Sequence, residues 1–259
     1  MRRQLFLPAL LALTAAPPLA AATSGPGYRL SVLTGGAERP EYAARGTVYV
    51  EAVRGSNYAL RITNPLPVRI GVALSVDGLN TIDAGHTDAS SARKWVLAPY
   101  QSVVIEGWQI SGETARRFFF TGEASSYGAK LGETRNLGVI EAVFFREKCR
   151  RQPVSRGAEA SGAPSQRSEA AEKRAGAPAP RKDQAAALSD DYAATGMGGD
   201  TRHAVTEVAL DLEPVPVATL RIRYEFRDGL VRLGVLPEGP EPLQRREASR
   251  GFDSWCPVR

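Results

Sequence analysis

Two histidines, His86 and His203, are the only ones in the chain, and with the paired acids they bound any chemistry it performs. A nucleophilic triad needs a base beside its nucleophile, usually histidine. His86 sits in Thr81-Ile82-Asp83-Ala84-Gly85-His86-Thr87-Asp88, a polar loop with no GxSxG elbow, HExxH pair or Walker loop around it. It reads as a surface loop histidine. Asp77, Asp83 and Asp88, with Asn80, supply oxygens at close spacing but match no twelve-residue calcium loop. They read as turn and strand-end residues, with a weak calcium site as the alternative. Glu106 and Glu141 fall on expected strands, where a carboxylate more naturally faces solvent or a sheet edge than a scissile bond. No catalytic residue, metal site or cofactor is assigned on this reading, and a hydrolase stays the third-ranked function. Aromatic side chains suit recognition better. Trp95, Tyr100 and Tyr127, with Arg116 nearby and His86, are the candidate binding residues, because rigid amphipathic rings and arginine anchor contacts with proteins and sugars. Trp108 and the run Phe118-Phe119-Phe120 read as core.

Cys149 and Cys256 are the only cysteines. Their separation excludes a CxxC redox motif. In an oxidising compartment one disulfide is the expected state, contributing at most about 4–5 kcal/mol by the chain-entropy model, with an intermolecular bridge or two free thiols as alternatives. Residues 1–22 point to such a compartment. Arg2-Arg3 precedes an apolar stretch over 5–16, then Pro17-Pro18 and the small residues Ala20-Ala21-Ala22, the layout of a secretory signal peptide. The stretch is shorter than the roughly 20 residues that cross a bilayer, and no transmembrane segment is expected after its removal.

The elements that position the candidate residues are strands. In residues 28–148 Ile70, Val72, Leu74 and Val76 alternate with Arg69, Gly71, Ala73 and Ser75, and Ile140, Ala142 and Phe144 alternate with Val139, Glu141, Val143 and Phe145. A period of two marks strands with one buried face. Further runs at 47–53, 58–62, 94–97, 102–108 and 118–121 are separated by Pro65-Leu66-Pro67, Asp77-Gly78 and Ala98-Pro99, while 125–131 forms one helical turn or a loop. Residues 150–187 are Ala, Gly, Ser, Pro, Arg and Glu with almost nothing large to bury, so a disordered linker is expected. In the C-terminal region, 201–259, Thr206, Val208 and Leu210 share a face. Leu220, Ile222, Tyr224 and Phe226 then alternate with Arg221, Arg223 and Glu225, and Arg227-Asp228-Gly229 has the chemistry of a hairpin turn. The expected fold is all-β: an antiparallel β-sandwich or partly open barrel with a long disordered insertion, the C-terminal strands packing on the main domain. The alternative is two tethered modules.

The net charge of +5 includes Arg2 and Arg3, and the remaining basic excess lies in 150–183, with 8 basic and 4 acidic groups, whereas 28–148 holds 14 and 12. No concentrated basic face supports a nucleic-acid partner. The segments Leu74-Ser75-Val76-Asp77-Gly78-Leu79-Asn80, Val96-Leu97-Ala98-Pro99-Tyr100-Gln101-Ser102, Gly107-Trp108 before Ile110, Phe119-Phe120-Thr121, Ser126-Tyr127-Gly128 and Asn136-Leu137-Gly138-Val139-Ile140 resemble a group of uncharacterised exported proteobacterial proteins. The resemblance covers roughly residues 45–148. It implies one β-domain in which Asp77, Gly78 and Asn80 are structurally demanding, and carries over no activity. The function expected is a secreted or periplasmic, non-catalytic interaction module for an envelope protein or surface polymer. A self-associating structural accessory of the envelope ranks second.

Overall fold

The computed structural model describes residues 27–148, 189–239 and 247. The expected signal peptide, the linker at 150–187 and both cysteines lie outside these residues. Fourteen strands appear in chain order: β1 Arg29–Thr34, β2 Ala37–Glu38, β3 Glu41–Ala44, β4 Thr47–Ala52, β5 Asn57–Thr63, β6 Ile70–Val76, β7 Leu79–Asn80, β8 Trp95–Leu97, β9 Ser102–Ile105, β10 Gly107–Gln109, β11 Thr114–Gly122, β12 Val139–Arg146, β13 Ala193–Arg202 and β14 Ala218–Phe226. Two short helices, α1 Tyr127–Leu131 and α2 Arg227–Arg232, complete the set.

Two sheets pack face to face without closing into a barrel. One runs β10-β11-β5-β1-β2, with β13 on β11 and β9 on β5; the other runs β3-β4-β14-β12-β6-β7, with β8 on β6. All pairings are antiparallel except β14 with β4, which is parallel and makes the second sheet mixed. Alternation explains the core. Leu220, Ile222, Tyr224 and Phe226 from β14, Ile140, Ala142 and Phe144 from β12, and Ile70, Val72, Leu74 and Val76 from β6 meet Leu30, Leu60, Ile62, Phe118 and Phe120 of the first sheet. Trp108, Tyr224, Phe118, Phe120 and Phe144 are the largest fully buried side chains, and burial of such groups supplies most of the drive to fold.

The C-terminal strands are integral to both sheets: β14 lies between β12 and β4, and β13 pairs with β11 along nearly its whole length. Two local expectations need correction. Arg227-Asp228-Gly229 makes no hairpin turn but opens α2. Both edges of β14 are occupied, so a following strand has no edge to join. Leu230 and Leu236, with Val231 and Leu233 beside them, instead pack on Tyr49 over the outer face of the second sheet. Thr206, Val208 and Leu210 belong to no strand; the strand in this region is β13, upstream of them. Of the two alternatives for residues 125–131 the structure has the helical turn: α1, whose N-cap Ser126 accepts from the Ala129 amide, follows a short 3₁₀ turn at Glu123–Ser125.

Candidate functional site

The outer face of the second sheet is closed at both ends and open in the middle. At one end α2 covers Tyr49; at the other the loop after β7 lays Ala89 and Ala92, together with Leu212, over Ala73, Val143 and Phe145. Between them a groove of about 260 Å3 is left. Ala73 and Ser75 of β6 and Val139, Glu141 and Val143 of β12 line it, with Arg221 and Arg223 of β14 at one side, His86 and Thr87 of the loop at the other, and Asn136. These residues are brought together by register: Ser75 is opposite Glu141, Glu141 opposite Arg221, and Val139 opposite Arg223.

The polar groups are unevenly committed. Arg221 donates to the Glu141 carboxylate at 2.7 Å, and the two charges offset each other. Arg223 makes no ion pair among the described residues and is exposed. His86 Nδ1 donates to the Gly78 carbonyl at 3.2 Å, which in the neutral ring leaves Nε2 as an acceptor. Of the candidate binding residues only His86 lies in this groove, which Gly78 and Asn80 also line. Arg221, Arg223, Glu141, Ser75 and Asn136 were not singled out as site residues. The alternation along β14 had placed its arginines on an outward face, but only the register with β12 and β6 shows that they share it with Glu141 and Ser75.

The other candidates are dispersed. Trp95 is half-buried, donates its indole N–H to Thr81 Oγ1 at 2.9 Å and lies 5.5 Å from the His203 ring. Tyr127 packs on Trp108 at 5.2 Å, and Arg116 pairs with Asp200 at 3.1 Å. Tyr100 is 68% exposed and holds a left-handed backbone at φ 58°. Its turn is held independently of the ring: Gln101 N donates to the Ala98 carbonyl, Gln101 Oε1 accepts from Ala98 N, Tyr100 N donates to the Leu66 carbonyl, and buried Asn64 donates to the Val68 and Ala98 carbonyls. Glycine suits such a backbone better than tyrosine, but loses more entropy on folding. Tyr100→Gly is therefore expected to change stability by less than about 1 kcal/mol, on the stabilising side, in a denaturant titration. A loss above that would mean that the ring packs on something.

Beneath the groove the hairpin joining β6 to β7 turns through Asp77 and Gly78, at φ 53° and 79°, as a two-residue primed turn demands. The Asp77 carboxylate points between the sheets and is buried. It accepts from Gly138 N at 2.9 Å, Thr195 N at 2.7 Å and Tyr224 Oη at 2.5 Å. Tyr224 Oη lies 2.6 Å from Thr195 Oγ1, which lies 2.6 Å from Tyr58 Oη. Each hydroxyl has one proton, so once Tyr224 donates to Asp77 the chain runs one way, Tyr58 to Thr195 to Tyr224 to Asp77. Burial pushes the Asp77 carboxyl up to about 7 against the downward pull of these donors, and raises both phenols well above their ordinary range. Asn80, beside this turn, donates to the Arg93 carbonyl at 2.8 Å and accepts from Ile82 N at 2.8 Å, pinning the loop that carries His86.

His86, Ser75 and Glu141 line one groove, but among the described residues no hydrogen bond joins the imidazole to the hydroxyl or the carboxylate: His86 bonds to Gly78 and Glu141 to Arg221. His203 Nδ1 donates to Gln109 Oε1 at 2.8 Å. Glu106 accepts from Thr201 at 3.0 Å at the first sheet, whereas Glu141 lies on the outer face of the second, so the two carboxylates do not flank one cleft. Asp83 turns to Gly85 N and Arg93, away from Asp77, and the three aspartates do not converge. Among the described residues no group of three or more His, Cys, Asp or Glu side chains is placed to hold a metal ion, and no helix is long and apolar enough to cross a membrane. A wider recess of about 990 Å3 beside Arg69 and Lys148 is lined by two ion pairs, Arg69 with Glu147 and Lys148 with Asp211, together with Arg146 and Glu213. No family model, curated protein or solved structure matches the chain.

Proposed function

We propose that the protein is a non-catalytic interaction module, exported to the periplasm or beyond, which binds an envelope protein or surface polymer through the groove on its second sheet. The observation that supports this reading is the groove's construction: a rigid sheet supplies the floor, a pinned loop supplies one side, and Arg223 stands beside it without a partner among the described residues. Rigid placement of a few polar groups around a concavity is what binding sites share, because little ordering entropy remains to be lost on association.

Assembly with copies of itself through sheet edges, the second expectation, meets an obstacle at one of those edges. The β13 edge that faces away from β11 has its Thr195 and Ala193 amides bonded to Asp77 and Glu225, which blunts it as a template for another strand.

Crosslinking of the tagged chain in intact cells tests the reading, followed by envelope fractionation and comparison with Ser75→Trp, which fills the groove floor. One recurring envelope component is expected on the wild type and not on the variant, with the two proteins unfolding at similar temperatures. Adducts indifferent to Ser75→Trp would remove the groove from the account, and self-adducts alone would favour assembly.

A further inference from the structure

We infer that the groove takes an acidic sugar unit, a single ring bearing one carboxylate, with the carboxylate on Arg223 and the ring hydroxyls on Glu141, Ser75 and His86. This rests on the reading of the groove as the binding site and names its ligand.

Charge comes first. Arg221 and Glu141 offset each other at 2.7 Å, which leaves the Arg223 guanidinium as the uncompensated charge of the groove wall among the described residues. Arg221 and Arg223 lie two positions apart on one strand face, about 6.5 Å along it. Arg223 is thus close to the Arg221–Glu141 pair but free to present its planar fork, which matches a carboxylate with two parallel hydrogen bonds. A dianion such as a phosphate monoester would set two negative charges against one free cation with the Glu141 carboxylate close by. A monoanion fits that balance better.

The remaining groups are suited to hydroxyls. Glu141 uses one oxygen on Arg221, and its other oxygen has no partner among the described residues. Ser75, opposite it, can donate and accept. The His86 ring is oriented by Gly78 with Nε2 as its acceptor. A simple carboxylate would leave these groups with water, whereas a polyhydroxylated ring engages them together. Val139 is the half-exposed apolar side chain of the floor against which the C–H face of a ring can lie, with Ala73 and Val143 beneath the loop at its margin.

Size and backbone favour a single ring over an added strand. At about 260 Å3 the groove is smaller than the roughly 300–1,000 Å3 typical of drug-sized ligands, and suits one ring. An extended peptide cannot add to the floor as a further strand, because β12 lies between β14 and β6, and β6 lies between β12 and the pair β7 and β8. Recognition here rests on side chains.

Isothermal titration of the whole chain with glucuronate, galacturonate and mannuronate, with glucose and acetate as controls and an oligouronate as the polymer arm, tests the proposal. At least one uronate is expected to bind saturably, about tenfold or more tighter than either control, since each control lacks half of the recognised groups. Arg223→Gln and Glu141→Gln should each weaken binding about tenfold. Arg223 is exposed and unpaired among the described residues, so its variant should unfold at the wild-type temperature. A tighter oligouronate places the ligand in a surface polymer, and equal affinity places it in a free acid; both support the assignment. Acetate binding as well as a uronate, or uronate binding unchanged in Arg223→Gln, would overturn it. If no uronate binds while Ser75→Trp still abolishes the crosslinked partner, the ligand class is wrong and the groove stands. If both fail, the reading of the groove fails too.

Discussion

Asp77→Ala is expected to cost on the order of 4 kcal/mol or more, enough to leave a domain of ordinary stability marginal or unfolded. The substitution removes the acceptor of three groups at once, the Gly138 and Thr195 amides and the Tyr224 hydroxyl, all drawn into the interior between the two sheets. A buried donor left without a partner costs about 1–3 kcal/mol, and the lost carboxyl leaves a void as well. The Thr195–Tyr224–Tyr58 chain also loses the anchor that sets its direction. Asp77→Asn is the sharper probe, because it keeps the shape. Its Oδ1 still accepts from Gly138 and Tyr224, but its Nδ2 hydrogens face the Thr195 N–H, at a cost of about 1–3 kcal/mol. The carboxyl is raised to about 7 in the folded protein against about 4 in the unfolded chain. Below about pH 4 both states are protonated and its contribution is complete. Between about 4 and 7 the unfolded chain ionises while the folded one holds its proton, so stability falls as pH rises, by up to about 1.4 kcal/mol per unit, and levels off above. Glu41 and Glu225 are also raised by burial, with the same sign. The quantity to measure is therefore wild-type stability minus that of Asp77→Asn, from urea titrations between pH 4 and 8. A difference that is flat or grows with pH would show that the donors hold Asp77 as a carboxylate.

Sequence periodicity revealed the strands that bury one face and exposed them in proportion to how large their side chains are. Along β14 the contrast between Leu220, Ile222, Tyr224 and Phe226 and the intervening charges is maximal, and the strand is legible. Along β13 it is absent, since Ala193, Ala194, Gly196, Gly198 and Gly199 carry little or nothing to bury. The neighbour explains why: a Cβ on Gly196 would come within 2.3 Å of the Phe119 ring, so β11 supplies the bulk and β13 has to be small. Asp-Gly signals a turn equally well at 77–78 and 228–229, but a primed hairpin forms only where the next segment has an edge to join, and β14 has none left. The role of Asp77 was out of reach for a different reason. Its partners lie at 138, 195 and 224, far along the chain, and a short polar residue in a turn gives no sign that its side chain will be drawn inward. The groove was legible only in pieces: His86 as a loop residue, Arg221 and Arg223 as an outward face, Glu141 as a solvated strand residue. Inter-strand register, which no single strand encodes, makes them neighbours.

Register also sets the second large effect, at Gly107. Residues 102–109 run as one kinked path, β9 pairing with β5 and β10 with β11, and at the kink the Phe118 amide donates to the Glu106 carbonyl. Gly107 is opposite Arg117 in the β10–β11 pairing, and there β11 approaches so closely that a Cβ would lie 1.9 Å from the Arg116 carbonyl oxygen and 2.4 Å from its carbon. Those are backbone atoms of a paired strand and cannot rotate away as a side chain would. Gly107→Ala must push β10 from β11. Trp108, the next residue, would then move from its edge contact with Phe118 at 5.2 Å and its contact with Tyr127 at 5.2 Å, in the middle of the core. Disruption of this kind is expected to cost about 3–5 kcal/mol, or about 6–20 °C in thermal midpoint for a fold of this size. Gly112→Ala is the matched control: it lies between β10 and β11, a Cβ there meets nothing within 4 Å, and its midpoint should stay within about 2 °C of wild type. Both midpoints come from one set of calorimetric scans, and the Gly107 variant should also red-shift tryptophan emission as Trp108 gains water. Equal midpoints for the two variants would mean that β10 is not pressed against β11 as described, and would take the Trp108 side of the core with it.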